Sequence, residues 1–198
     1  MSRSTPRSVT PQSSGAPPEY SIEERRFLLL CAHRAILNTL RGQPELQSEL
    51  SAHLKVPRGV FTTLYLSGDL RGCVGYAMPV LPLHRAVEET AKAAAFEDSR
   101  FPPVNQTEAT QLEISLSILS PLFPIQAEDV QIGRHGLVAS FAGYRGLLLP
   151  QVPVECGWDR ETFLAQTCRK AGVPTDAWQR GAKFEAFTAE VFGDTDVA

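Results

Sequence analysis

No stretch of this 198-residue sequence is apolar over anything near the ~20 residues that a membrane-spanning helix needs, so no such helix is expected. Charge of one sign is scarce too. The 19 Lys and Arg stand against 22 Asp and Glu, for a formal net charge of −3. Without clustered Lys and Arg there is no broad surface for a phosphate backbone, and nucleic acid is not an expected partner. Cys31, Cys73, Cys156 and Cys168 form no CxxC pair and have no zinc-like spacing. No two histidines stand at i, i+4, so no metal site is expected. A Gly-rich phosphate loop, a dinucleotide fingerprint and a Gly-x-Ser-x-Gly elbow are all missing, and no cofactor is called for. The segment Met1 to Glu19, rich in Ser, Pro and Thr, lacks the apolar centre of a signal peptide. It cannot bury enough surface to offset chain entropy and is expected to be disordered. Reduced thiols and a cytoplasmic location follow as expectations.

What is present is an ordinary globular composition, 43% hydrophobic and 21% charged, enough for one good-sized core or a main domain with a small appendage. Order is expected over residues 20–192, with tails at 1–19 and 193–198. Ser21 and Glu24 form a capping box that starts a helix running towards Leu40 and stopped by Gly42. Its spacing puts Phe27, Leu30, Cys31, Leu37 and Leu40 near one face. Pro44 to Pro57 reads as a polar connection. Val60 to Leu66 and Leu70 to Ala77 read as a hairpin about Ser67-Gly68-Asp69. After Pro82, Leu83, Ala86, Val87, Thr90, Ala91, Ala94 and Ala95 make a helical stripe. Leu112 to Ile118 alternates cleanly between an apolar face and a wetter one of Glu113, Ser115 and Ser117. A second hairpin spans Gly136 to Leu149, Arg160 to Ala171 is a helix closed by Gly172, and Phe184 to Phe192 is a last strand. Hairpins mixed with separate helices predict an α+β fold with a mainly antiparallel sheet flanked by helices.

Four segments carry chemistry. In Leu70-Arg71-Gly72-Cys73-Val74-Gly75, an extended backbone puts Arg71 and Cys73 on one side, and a guanidinium there favours the thiolate. Gly72 and Gly75 permit close approach by another group, whether a ligand or a tightly packed neighbour. His135 sits between glycines at a strand start, placed either to exchange protons with a thiol or to cap a turn. Asp98 and Arg100, beyond a helix end, bind a polar ligand or fix the chain exit as an ion pair. Gln151 at a strand end orients a substrate or satisfies a loop.

These segments strongly resemble the AMMECR-one-like family, protein A of the AmmeMemoRadiSam system. Leu70 to Gly75, Asp98 to Pro103, Gly133 to Leu137, Leu147 to Val152 and Gly157-Trp158 match in order, and the resemblance runs from about Tyr20 to Phe192. One departure is Tyr76, where the family commonly carries Thr. The resemblance implies a compact α+β domain with a larger and a smaller lobe, a cleft at the Arg-Gly-Cys signature, and an association with Memo-like and radical-SAM proteins. Two functions are then open. One is a thiol-dependent enzyme with Cys73 and His135 catalytic and Arg71, Gly72, Gly75, Arg100 and Gln151 around an unidentified small molecule. The other is a non-catalytic binding module in which the glycines shape a pocket for a small molecule or for a partner protein of the Memo-like or radical-SAM kind.

Overall fold

The computed structural model describes residues 18–43 and 51–197. The expected amino-terminal tail lies outside them up to residue 17, as does the first half of the polar connection, residues 44–50. Helix α1, Ile22–Arg41, begins with both halves of the Ser21–Glu24 capping box and ends on Gly42 in the left-handed region. Its buried side is Leu28, Leu29, Ala32, Ala35 and Ile36, one step round from the face that spacing alone suggests. Phe27, Cys31, Leu37 and Leu40 pack at the margin, and Leu30 is exposed. The run Phe-Leu-Leu-Leu-Cys-Ala offers several apolar stripes. The one chosen carries Ala32 and Ala35, small enough for close contact with the alanine-rich helix α2, Leu83–Phe96. That helix buries the stripe its spacing predicts: Leu83, Ala86, Val87, Thr90, Ala91, Ala94 and Ala95.

Strands β1, Val60–Leu66, and β2, Asp69–Tyr76, form the first hairpin. Its turn residues Ser67 and Gly68 both have positive φ, 54° and 85°, the twist that two-residue hairpin turns favour. A four-residue helix α3, Gln106–Ala109, capped by Asn105, precedes β3, Leu112–Leu119. Then come β4, Phe123–Pro124, β5, Gly136–Phe141, β6, Tyr144–Leu148, and helices α4, Gln151–Glu155, and α5, Arg160–Lys170. The last strand expected from the sequence is two strands. β7, Lys183–Phe187, and β8, Ala189–Gly193, lie in different sheets and are parted at Thr188. Each end serves a different core, which is why the alternation across Phe184 to Phe192 is irregular.

The fold is α+β, with two four-stranded antiparallel sheets, β2-β1-β3-β8 and β4-β7-β5-β6. α1 and α2 cover one face of the first over a core that includes Leu64, Ile114, Leu116 and Phe192. α5 covers one face of the second around Leu137, Phe163, Leu164 and Phe184. A third, smaller cluster of Leu119, Val138 and Phe187 joins the sheets, with Phe61, Leu122, Leu147, Leu149 and Ala189 at its edge. Order continues past Phe192. Asp194 accepts the Ile114 amide at 2.8 Å and meets His33 at 2.9 Å, and Val197 accepts from Arg26. Among the described residues no helix is long and apolar enough to cross a membrane.

Two glycines set how closely helix and sheet approach. A Cβ on Gly72 would fall on the Ala94 carbonyl of α2, and one on Gly146 would fall on the backbone at Ala171. In neither case is the obstacle a side chain that can swing away. Gly72→Ala and Gly146→Ala are each expected to lower unfolding stability by roughly 1–3 kcal/mol, the usual cost of overpacking. Urea midpoints at an unchanged m-value measure this, and a loss below 0.5 kcal/mol would show that the backbones can separate.

Candidate functional site

Cys73 lies on β2, an edge strand, opposite Thr63 of β1. Its amide and carbonyl point away from β1, because both are bonded by side chains from the loop after α2. The amide donates to Asp98 Oδ2 at 2.9 Å, and the carbonyl accepts from Arg100 Nη2 at 3.3 Å. Cys73 and Thr63 are therefore a pair without ladder bonds between them, the closer kind of cross-strand pair. The Thr63 hydroxyl donates to the Cys73 sulfur at 3.3 Å.

Strand register extends this row. Thr63 stands opposite Ser115 of β3, and Ser115 opposite Gly193 of β8. The next row on the same face is Gly75, Phe61, Ser117 and Val191, and on the other side Tyr65 stands opposite Glu113. This face is turned from α1 and α2. Thr63, Cys73, Ser115, Ser117 and Tyr65 are all partly open to solvent. Phe61 lies over Gly75, where a Cβ would collide with its ring, and reaches the cluster containing Leu147 and Leu149 of the second sheet. This face therefore carries a thiol and hydroxyls beside Phe61, which shares the margin of that apolar cluster with Leu147 and Leu149.

Two guanidinium groups flank the signature, and each has its own carboxylate. Asp98 accepts from the Cys73 amide and from Arg100 through its amide, Nε and Nη2, the last at 2.6 Å. The Arg100 guanidinium first, and the Cys73 amide next, hold the Asp98 carboxyl well below the ordinary range. Arg100 remains 55% exposed along its side chain and lies over the Phe101 ring. Arg71 is held by Glu108 at 3.2 and 3.1 Å. Period-two alternation would set Arg71 beside Cys73, but Leu64 pairs with Gly72 and Tyr65 with Leu70. Arg71 is the extra residue of a bulge, which breaks that alternation. Its charge is spent on Glu108, whose carboxyl is lowered chiefly by that contact and which also caps α3. Asp98 and Arg100 form an ion pair where the chain leaves α2.

His135 is not brought to Cys73. It precedes β5 in the second sheet, where its Nδ1 accepts the Gln131 amide at 3.1 Å and its ring meets Phe123 edge-on. Only 7% exposed, it is pushed towards the neutral form by burial and by Arg134. Gln151 opens α4 with its side chain exposed, two residues beyond Leu149. Tyr76, the departure from the resembled family, packs against the first core. Among the other thiols, burial pushes Cys31 up to about 12 and raises Cys168, while Cys156 is exposed. Among the described residues no group of three or more His, Cys, Asp or Glu is placed to hold a metal.

The AMMECR1 family model matches residues 29–192. The chain belongs to the AMMECR1 family. A Methanocaldococcus jannaschii relative is 41% identical over 186 residues, covering 89% of this chain and 92% of its own. A Methanococcus aeolicus relative is 40% identical over 182 residues, 87% of this chain and 92% of its own. The crystal structure of an uncharacterised Pyrococcus horikoshii protein superposes with a TM-score of 0.68 at 40% identity, covering 84% of this chain and 89% of that one. Two of the AMMECR1-like segments (Leu70 to Gly75 and Asp98 to Pro103) meet at Cys73. Thr63, Tyr65 and Glu108 adjoin the first of them, and Ser115 and Ser117 lie one strand further, but all five lie in none of the conspicuous motifs. The alternation of β3 marks its serines as a wetter face, but only strand order shows that they continue the Cys73 row.

Because its folded carboxyl sits below the unfolded value of about 3.9, Asp98 adds stability that is present above that pH and lost as pH falls further. Asp98→Ala is expected to destabilise the AMMECR1 fold by about 2 kcal/mol at neutral pH, since it leaves charge-assisted bonds unmade. The deficit should shrink below pH 4. Denaturation of both proteins from pH 7 to pH 2.5 measures this, and a pH-independent deficit would mean that packing rather than charge is lost.

Proposed function

We propose that this AMMECR1 protein is a small-ligand-binding module whose site is the cleft over Cys73, Thr63 and Ser115. In this reading the Cys73 sulfur is a contact atom and not half of a Cys73–His135 catalytic pair. The observation that carries it is the in-register row of thiol and hydroxyls on the sheet face turned from the helices. A sheet face with hydrogen-bonding groups beside an apolar wall is the mix by which pockets orient small molecules. Backbone bonds from Asp98 and Arg100 hold the row rigid before anything binds, which reduces the ordering cost on association.

The pair without His135 is tested on the thiol itself. Alkylation by iodoacetamide, followed by peptide mass spectrometry, separates the four cysteines. Thr63→Val should slow Cys73 about fivefold, the value of one net hydrogen bond to the reacting group, and His135→Ala should leave it unchanged. If His135→Ala slows Cys73 and Thr63→Val does not, the catalytic pair returns and the present reading fails.

Ligand placement is tested by amide shift mapping of 15N-labelled protein against a fragment set of small neutral and charged polar molecules. Shifts are expected to concentrate in residues 61–65, 73–75, 98–101, 113–117 and 147–149. A separate concavity of about 620 Å3 beside Ile125, Trp178, Lys183 and Phe184 is the competing location. Shifts confined there would overturn the assignment to the Cys73 face.

A further inference from the structure

Among the described residues the chain passes between the two sheets only at Ser120 to Leu122, after β3, and at Thr188, between β7 and β8. Residues 123–187 are thus a continuous unit inserted into a second unit made of everything else described. The two passages lie side by side. The Ser120 amide donates to the Thr188 carbonyl at 2.9 Å, and the Thr188 amide donates to Ser120 Oγ at 3.0 Å. Beyond this pair, the units meet through the small apolar cluster of Leu119, Val138 and Phe187 and its margin. Among the described residues no helix or strand of one unit packs extensively against one of the other. Within each unit, by contrast, strands and helices pack broadly.

We infer that residues 123–187 turn as a rigid body about the Ser120–Thr188 pair, opening and closing the cleft over the Cys73 row. Relative motion is the ordinary state of two bodies whose shared interface is small. A hinge needs few residues, and here it is two adjacent crossings tied to each other, which permits rotation and resists separation. The direction follows from the sheet faces. Phe61 shares its face with Thr63 and Cys73, and it packs on the same joining cluster as Leu147 and Leu149 of the moving unit. Rotation about the cluster therefore changes the gap above Cys73 first. The link between closure and binding rests on the function proposed above, whereas the rotation itself does not.

Residual dipolar couplings of the full 15N-labelled chain, measured in phage and in stretched polyacrylamide, test the motion. The 123–187 unit and the remainder are expected to require two alignment tensors of different magnitude, with amide shifts inside each sheet unchanged. Ser120→Ala, which removes the acceptor of the Thr188 amide, should widen that difference. A single tensor that fits both units, in the native protein and in Ser120→Ala, would overturn the hinge. Carbamidomethylation of Cys73 in a Cys156→Ser background tests the direction, the added group acting as a wedge in the cleft. A changed relative orientation is expected, and an unchanged one would show that rotation does not pass over Cys73. Two tensors without ligand shifts at the Cys73 face would keep the hinge and remove the ligand reading.

Discussion

The backbone of Gly72 lies against the Ala94 carbonyl, and the Cys73 end of the molecule depends on that contact. A side chain there would push α2 off β2. With none, the helix lies against the sheet on its alanine stripe, and its last turn ends beside the edge strand. Asp98 and Arg100 follow immediately and reach the Cys73 amide and carbonyl without a long loop. A free strand edge otherwise presents unpaired backbone groups that invite another strand. Here one carboxylate and one guanidinium take the place of that strand at Cys73. Glycine at 72 is therefore explained by packing, and its neighbourhood to a thiol is a consequence of where the helix must end.

Charge is handled pairwise at this site. Arg71 is neutralised by Glu108 and Arg100 by Asp98. The sulfur receives a hydroxyl donor from Thr63 rather than the direct company of a free cation. A thiol–imidazole pair needs a base whose accepting nitrogen is available to the sulfur's proton. His135 has given that nitrogen to the Gln131 amide, and its ring packs on Phe123 in the other sheet. The two halves of the enzyme hypothesis thus have separate local explanations: a braced edge strand for one, a capped turn for the other.

Much of this was legible in the residues. The Ser21–Glu24 box, the stop at Gly42, the β1–β2 hairpin and the α2 stripe depend on interactions within a few residues, and each stands where local chemistry puts it. Misplaced features depend on partners distant in sequence. The buried side of α1 was decided by which stripe α2 could approach. The bulge at Arg71 was decided by Glu108, 37 residues away, and no alternation rule anticipates it. The break at Thr188 was decided by the existence of a second sheet, since a chain that leaves one core for another keeps its β-rich composition across the join. At the candidate site, Cys73 and the Asp98–Arg100 pair were conspicuous because their residue types are unusual together. Thr63 and Ser115 were not, because a strand hydroxyl becomes part of a site only through the strand it pairs with.

The family match bears on the unit that matters. It runs from residue 29 to 192, across both passages between the sheets and through the whole inserted segment. Relatives in other organisms align over 92% of their own length, so the insertion and its host occur together in them. If the Cys73 edge acted alone, the first sheet with its two helices would be sufficient for it, since that sheet has its own core and caps. What the second sheet adds at this place is Leu147 and Leu149, at the margin of the same cluster as Phe61, and the paired passages at Ser120 and Thr188. These are the features that require both bodies, and the proposed function is better sought where the bodies meet than in the cysteine alone.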